Sequence, residues 1–189
     1  MTGPLRVVAV VGSVRAPSKT TALVELMLQT LAARTETDAR LIELHTLGPA
    51  FAGVAERDQV GAEVEDALRA VAEADLVIAA TPVFRGSYTG LFKHFFDLVD
   101  QYGLAAKPVL LAATGGSDRH ALVIDHAMRP LFAFLQAWTA PAGIYLSSGD
   151  FDGTTILNPE VYERVEMAVG DVVPVALALS AARRVPVAS

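Results

Sequence analysis

Short apolar segments rich in β-branched residues alternate with helix-like segments along this chain, and that alternation constrains the fold most strongly. The predicted strands are residues 5–11, 40–44, 76–81, 109–113 and 142–146, and the predicted helices are residues 19–33, 58–74, 89–101, 117–136 and 159–183. The first, third and fourth strands are almost continuously apolar, which is typical of parallel strands covered on both faces. The pattern predicts an α/β, doubly wound, three-layer sandwich with a five-stranded parallel sheet.

The composition limits the classes of function that this chain can have. Its 189 residues and 52% hydrophobic content suit a single domain, residues 1–189, with a full-sized core. A formal net charge of −6 gives no general attraction to nucleic acid or to an anionic membrane. The absence of cysteine excludes disulfides, thiolate metal sites and a cysteine nucleophile. We expect a cytoplasmic protein without a signal peptide, and without a membrane span because the apolar stretch at 172–182 is too short.

The loop after the first strand has the residue types of a phosphate site. Ser13, Ser18 and Thr20 supply hydroxyl groups, Arg15 and Lys19 supply positive charge, and the helix that follows has unpaired N–H groups at its start. The loop is not a P-loop, because serine precedes Lys19 where that motif has glycine, and it has too few glycines for a dinucleotide fingerprint. An ordinary serine-capped helix is the alternative interpretation.

Two further loops follow the third and fourth strands. In the first, Pro82 fixes the backbone and Phe84 and Tyr88 offer flat apolar surfaces, so this loop could lie along a planar ring. Its alternative is a simple turn into an amphipathic helix. In the second, Gly115 and Gly116 expose bare backbone that could approach one end of a ring or an anionic group.

The predicted fold brings these three loops to one place. In doubly wound sheets the ligand lies beyond the carboxyl ends of the strands, where the strand order reverses. A phosphate attached to a planar heterocycle matches the three loops together. FMN is therefore the natural candidate for the ligand.

The same residues carry a resemblance to the NADPH-dependent FMN reductase family, of flavodoxin-like fold. The matching motifs, within residues 5–146, are Gly12-Ser13-x-Arg15-x-x-Ser18-x-Thr20, Thr81-Pro82-Val83-Phe84-x-x-Ser87-Tyr88-x-Gly90-x-x-Lys93, and Ala113-Thr114-Gly115-Gly116-Ser117-x-x-His120 followed by Asp125-x-x-x-Arg129-Pro130. Within the family the chain is most similar to flavin reductases that accompany bacterial two-component, luciferase-like monooxygenases, including those of alkanesulfonate use.

The resemblance implies a set of cofactor-binding residues. Ser13, Arg15, Ser18, Lys19 and Thr20 would hold the phosphate, Pro82, Val83, Phe84, Arg85, Gly86, Ser87 and Tyr88 would line the isoalloxazine, and Thr114, Gly115, Gly116 and Ser117 would close its other edge. NADPH or NADH would pass hydride to the flavin without an obligatory acid or base, so no catalytic side chain is expected. Arg15 and Arg85 are also candidates for contacts with the pyridine nucleotide. No metal site is expected, because His120 and His126 are six residues apart.

Several questions stay open at this point. The leading hypothesis is a reductase that delivers reduced FMN to a partner monooxygenase. The alternatives are a bound-FMN reductase of quinones, azo compounds or metal oxyanions, and a flavodoxin-type electron carrier.

The apolar fourth helix predicts a homotetramer or dimer. In some relatives one inserted residue near the position of His126 creates a π-bulge beside the flavin. The sequence does not show whether His126 is that insertion, and an interface histidine is the favoured interpretation. Residues 147–158 have no predicted role.

Overall fold

The computed structural model describes residues 3–184 and contains the predicted parallel sheet. Its strands are β1 Leu5–Val11, β2 Thr37–Glu43, β3 Leu76–Pro82, β4 Pro108–Gly115, β5 Trp138–Thr139 and β6 Ile144–Ser147. They lie in the order β2-β1-β3-β4-β5, with β6 also paired to β4, and every pairing in this sheet is parallel. This order is that of flavodoxin-like folds, and the predicted α/β class is confirmed.

The last position in the sheet is filled by an interrupted strand. Both β5 and β6 pair with β4, and residues 140–143 between them leave the ladder. Pro141 has no N–H to donate to a ladder. A Cβ on Gly143 would lie 2.7 Å from Cγ2 of Ile124, so the backbone here runs against the neighbouring helical segment. The predicted strand at 142–146 was therefore wrong in its bounds and missed β5.

The helices alternate with the strands, as predicted, but differ in extent. They are α1 Lys19–Arg34, α2 Gly48–Ala52, α3 Ala62–Glu73, α4 Gly90–Leu98, α5 Arg129–Phe134 and α6 Pro159–Arg184. Single 3₁₀ turns lie at Leu44–Leu47, Arg57–Gln59, Asp118–His120 and Ser148–Asp150. The bounds that differ most are three: β2 begins at Thr37, three residues earlier than predicted, α3 begins at Ala62 instead of 58, and α4 ends at Leu98 instead of 101.

The predicted helix at 117–136 is not one continuous helix. The segment contains a 3₁₀ turn at Asp118–His120, a π-helical turn at Ile124–Met128 and only then α5. In the π turn the N–H of Arg129 donates to the carbonyl of Ile124, five residues earlier. Pro130 is tolerated because it lies in the first turn of α5.

Apolar clusters fill both faces of the sheet, which explains the continuous apolar strands. On one face α1 and α6 pack against β1, β3 and β4, and on the other face α3, α4 and α5 do so. By length and mean hydropathy, Pro159–Arg183 is also apolar enough to cross a membrane. Its inner side, including Val161, Val165, Val169 and Val172, is fully buried, as in a core helix.

Candidate active site

The three predicted loops meet at the carboxyl edge of the sheet and form one pocket of about 540 Å³. Eleven of the predicted site residues line it: Ser13, Arg15, Ser18, Lys19, Thr20, Pro82, Val83, Phe84, Thr114, Gly115 and Gly116. The lining therefore joins a hydroxyl-rich and cationic side to an apolar side and a bare backbone. This combination suits a ligand with an anionic end and a flat end.

The hydroxyl-rich loop is organised around the start of α1. Ser18 is the N-cap of α1, and its side chain accepts a hydrogen bond from the N–H of Thr21 at 3.2 Å. The hydroxyls of Ser13 and Ser18 are hydrogen-bonded at 2.5 Å, and those of Thr20 and Thr114 at 2.7 Å. The second bond joins the helix to the end of β4. The first turn of α1 holds no acidic residue, so the arrangement favours an anion.

The start of α4 packs directly behind this loop. The Thr89 hydroxyl donates to the carbonyl of Gly12 at 2.7 Å and, as the N-cap of α4, accepts from the N–H of Phe92 at 3.2 Å. A Cβ on Gly12 would lie only 2.8 Å from Cβ of Phe92. Glycine is required there because the helix comes so close.

The loop after β3 contributes only its first part to the pocket. Pro82, Val83 and Phe84 line it, and the Phe84 side chain is half exposed. The chain then turns sharply, because Phe84 pairs with Ser87 and the two residues between them, Arg85 and Gly86, have φ of 52° and 80°. Positive φ at both central positions is the mark of a type I′ turn.

That turn explains which predicted residues stay outside the pocket. Arg85, Gly86 and Ser87 form the turn, and Tyr88 instead packs its ring 5.7 Å from the ring of Phe92. None of these four is part of the described lining. An Arg-Gly pair between extended residues was the available sequence signal.

The loop after β4 is fixed by Tyr145 on β6. The Tyr145 hydroxyl donates to the carbonyl of Ser117 at 2.6 Å, and a Cβ on Gly115 would lie 2.1 Å from that hydroxyl oxygen. Burial, with the nearby carboxylates of Asp118 and Asp150, raises the pKa of Tyr145, so the phenol stays a donor at neutral pH. Ser117 itself does not line the pocket.

Five lining residues are not among those predicted from the sequence. Val14 and Pro17 belong to the predicted loop but carry no polar group. Ser148, Gly153 and Thr154 come from the segment left without a role. That segment forms a β-hairpin of β7 Phe151–Asp152 and β8 Thr155–Ile156, for which Asp152-Gly153 was a recognisable turn signal.

The family of this chain is shown by its similarity to known proteins. The sequence model of the NADPH-dependent FMN reductase family matches residues 5–152. The chain is a member of this family. It is an NAD(P)H-dependent FMN reductase, an oxidoreductase.

Similar proteins cover almost the whole reductase. The NADH-dependent FMN reductase SfnF of Pseudomonas putida is 47% identical over 189 residues, which is 100% of this chain and 98% of the relative. An FMN reductase (NADPH) of Pseudomonas aeruginosa is 44% identical over 174 residues, 92% of this chain and 94% of the relative. The solved apo structure of the NADH:FMN oxidoreductase EMOB superposes with a TM-score of 0.81 at 30% identity, covering 92% of this chain and 89% of that one.

The π turn of the reductase contains His126, as the π-bulge interpretation required. The His126 side chain is exposed, and it is not part of the described pocket lining. Its proximity to a flavin therefore stays a prediction. Among residues 3–184 no cluster of His, Cys, Asp and Glu side chains has the geometry of a metal site.

Proposed function

We propose that this reductase takes FMN from solution as a substrate and releases reduced FMN to a partner monooxygenase. The observation that carries the proposal is the openness of the pocket. Phe84 is 47% exposed, and Arg15 and Gly116 are also exposed at its margin. A flavin held against such a surface can leave without a large rearrangement of the chain.

The residues of the pocket fit FMN part by part. The N-terminus of α1, with the Ser13 and Ser18 hydroxyls and the charges of Arg15 and Lys19, suits the phosphate. The stretch 82–84 offers an apolar surface for the isoalloxazine. At Gly115 and Gly116 the backbone can approach the other edge of the ring.

The pocket supplies position rather than acid or base groups. None of its described lining residues is Asp, Glu or His. The hydride chemistry would be supplied by the flavin and the nicotinamide when both are bound. The protein then contributes by holding the flavin with one ring face accessible to NADPH or NADH. Exposed Arg85, at the tip of the type I′ turn, would contact the coenzyme from outside the pocket.

Anaerobic turnover tests the proposal. With NADH or NADPH in excess, the purified protein, largely colourless, should reduce many equivalents of free FMN per subunit and show saturation in free FMN. Parallel assays with quinone and azo-dye acceptors examine the bound-flavin alternative. A yellow protein that keeps its flavin through dialysis, reduces only that flavin and turns over these acceptors would contradict the proposal.

We also propose that the reductase is a cytoplasmic homo-oligomer. Leu122 and Phe134 are 58% and 76% exposed on the segment that contains the π turn and α5. Large exposed side chains of this kind mark a surface that a second copy could cover. Light scattering should report a dimer or tetramer, and a particle of about the monomer mass of 19.9 kDa at micromolar concentrations would contradict it. Cell fractionation tests the location.

A further inference from the structure

The hairpin of β7 and β8 is the part of the pocket that no motif assigns. Phe151 pairs with Ile156 and Asp152 pairs with Thr155, so that Gly153 and Thr154 alone form the turn. Gly153 has φ of +58°, the conformation that glycine adopts at the first position of a type II′ turn. Both turn residues line the pocket.

The hairpin is fixed at its base rather than free to move. Phe151 and Ile156 are buried in the core between α1, α6 and the sheet. The Asp150 carboxylate accepts from the N–H of Ser147 at 2.8 Å and from Asn158 Nδ2 at 2.7 Å, which joins the two ends of the segment. The turn is therefore held at a defined distance from the rest of the pocket.

Two contacts locate the chain segment that leads into the turn. The Lys19 ammonium, at the first residue of α1, lies 5.2 Å from the centroid of the Phe151 ring, a cation–π contact. Three residues before Phe151, Ser148 Oγ donates to the carbonyl of Gly115 at 3.5 Å. Ser148 therefore lies beside Gly115 and Phe151 beside the start of α1, and the turn that begins two residues after Phe151 lines the same pocket.

We propose that this turn, and Thr154 in particular, selects a flavin mononucleotide over a flavin dinucleotide. The inference rests on the proposed FMN site. A phosphate monoester ends at the start of α1, whereas the phosphate of FAD continues into a second phosphate and an adenosine. Those groups would have to pass the turn, whose residues Gly153 and Thr154 line the same pocket as the start of α1. The hairpin is a wall that limits ligand length.

The test compares flavin affinities of Thr154→Gly and of Thr155→Gly. Thr155 is exposed, belongs to the same hairpin and does not line the pocket, so it is a matched control. Fluorescence titration gives Kd for FMN and FAD with each protein. The wild-type protein should bind FMN more tightly, and Thr154→Gly should lower the ratio of the FAD Kd to the FMN Kd about tenfold, as expected when one wall group is removed. Thr154→Ala should shift the ratio in the same direction.

The outcomes separate this inference from the proposed site. An unchanged ratio in Thr154→Gly, the same change in Thr155→Gly, or equal affinities of the wild-type protein for FMN and FAD would each overturn the role of the turn while leaving FMN binding intact. Wild-type protein that does not bind FMN would overturn the proposed site, and the inference with it. Melting temperatures of all variants verify that the fold is kept.

Discussion

Gly115 and Tyr145 form a matched pair of residues. The phenol fills the space where a side chain at position 115 would begin, and it holds the next loop through the carbonyl of Ser117. The small residue therefore serves two purposes: it exposes backbone to the pocket, and it admits the group that fixes this backbone. The residue type at each of these two positions therefore depends on the residue at the other.

A double-mutant cycle tests this pairing. Gly115→Ala should lower the free energy of unfolding by about 1 to 3 kcal/mol, because the new methyl group meets the Tyr145 hydroxyl. Tyr145→Phe alone should cost about 1 kcal/mol for the lost hydrogen bond. In the Tyr145→Phe background the alanine should cost less, since the closest atom has gone. Urea unfolding measures all four proteins, and simple additivity of the two costs would contradict the pairing.

Arg15 should distinguish the phosphorylated flavin from the unphosphorylated one. Arg15 lines the pocket together with Ser13 and Ser18, and a guanidinium can make charge-assisted hydrogen bonds to a phosphate. Such bonds contribute about 1.5 to 3 kcal/mol, so Arg15→Ala should weaken FMN roughly ten- to a hundredfold and leave riboflavin unchanged. Arg69→Ala, an exposed arginine on α3, is the control. Equal losses for both flavins in titration would place the phosphate elsewhere.

At the scale of elements, Arg129 connects the helical segment to the interrupted strand. Its guanidinium donates to the carbonyls of Ala140 and Pro141 at 2.8 and 2.5 Å and pairs with Asp125 at 2.7 Å. The two carbonyls belong to the stretch that leaves the sheet ladder, so a side chain replaces the missing backbone donors. The π turn ends directly before this arginine.

Removing this connection should destabilise the protein. Arg129→Ala leaves the carbonyl of buried Ala140 without its side-chain donor and should cost about 2 kcal/mol in urea unfolding. Asp125→Ala removes only an ion pair whose carboxylate is 55% exposed and should cost less than about 1 kcal/mol. Equal losses of stability in the two variants would contradict a stabilising role for the hydrogen bonds from Arg129 to the carbonyls of Ala140 and Pro141.

The elements differ in how well the sequence predicts them, for local physical reasons. The start of α1 was predictable because the capping bond joins Ser18 to the N–H of Thr21, only three residues away in the sequence. The break at 140–143 was not, because the bonds to its carbonyls come from Arg129, eleven and twelve positions earlier. The π turn was raised only by the resemblance to relatives and not by any local pattern. The pocket loops were predictable as strand ends. The hairpin turn had a local signal in Asp152-Gly153, but its place in the pocket depends on tertiary contacts such as that between Lys19 and Phe151.

At the scale of the whole molecule, the edge of the sheet opposite the pocket holds two buried charged residues, Asp75 and Lys107. Asp75, before β3, lies 3.3 Å from Arg6 and 3.4 Å from Arg183. Lys107, before β4, donates to the carbonyls of Ala72 and Ala74, and burial lowers its pKa to about 8. The carboxyl edge of the sheet forms the pocket, and this amino edge contributes to stability.

Asp75 should make the fold sensitive to acid. Burial opposes its ionisation, but hydrogen bonds from the Arg6 N–H, the Arg6 guanidinium and Ser180 outweigh burial and lower the pKa to about 2. Because the unfolded value is about 3.9, the stabilisation is present above about pH 4 and is lost as the pH falls through 2. Asp75→Asn should lower the free energy of unfolding at pH 7 by about 2 kcal/mol. Between pH 4 and 2 the free energy of unfolding of this variant should depend less on pH than that of the wild-type protein. Parallel curves for both proteins would contradict this assignment.

The position of Thr89 has a consequence for reading mutational scans of this enzyme. One hydroxyl caps α4 and also donates to the carbonyl of Gly12, directly before the hydroxyl-rich loop of the pocket. Substitutions at this residue will score as folding defects in an abundance screen and as binding defects in an activity screen, although Thr89 does not line the pocket. A scan that uses only one of these assays will therefore classify Thr89 by that assay alone, as structural from abundance or as functional from activity.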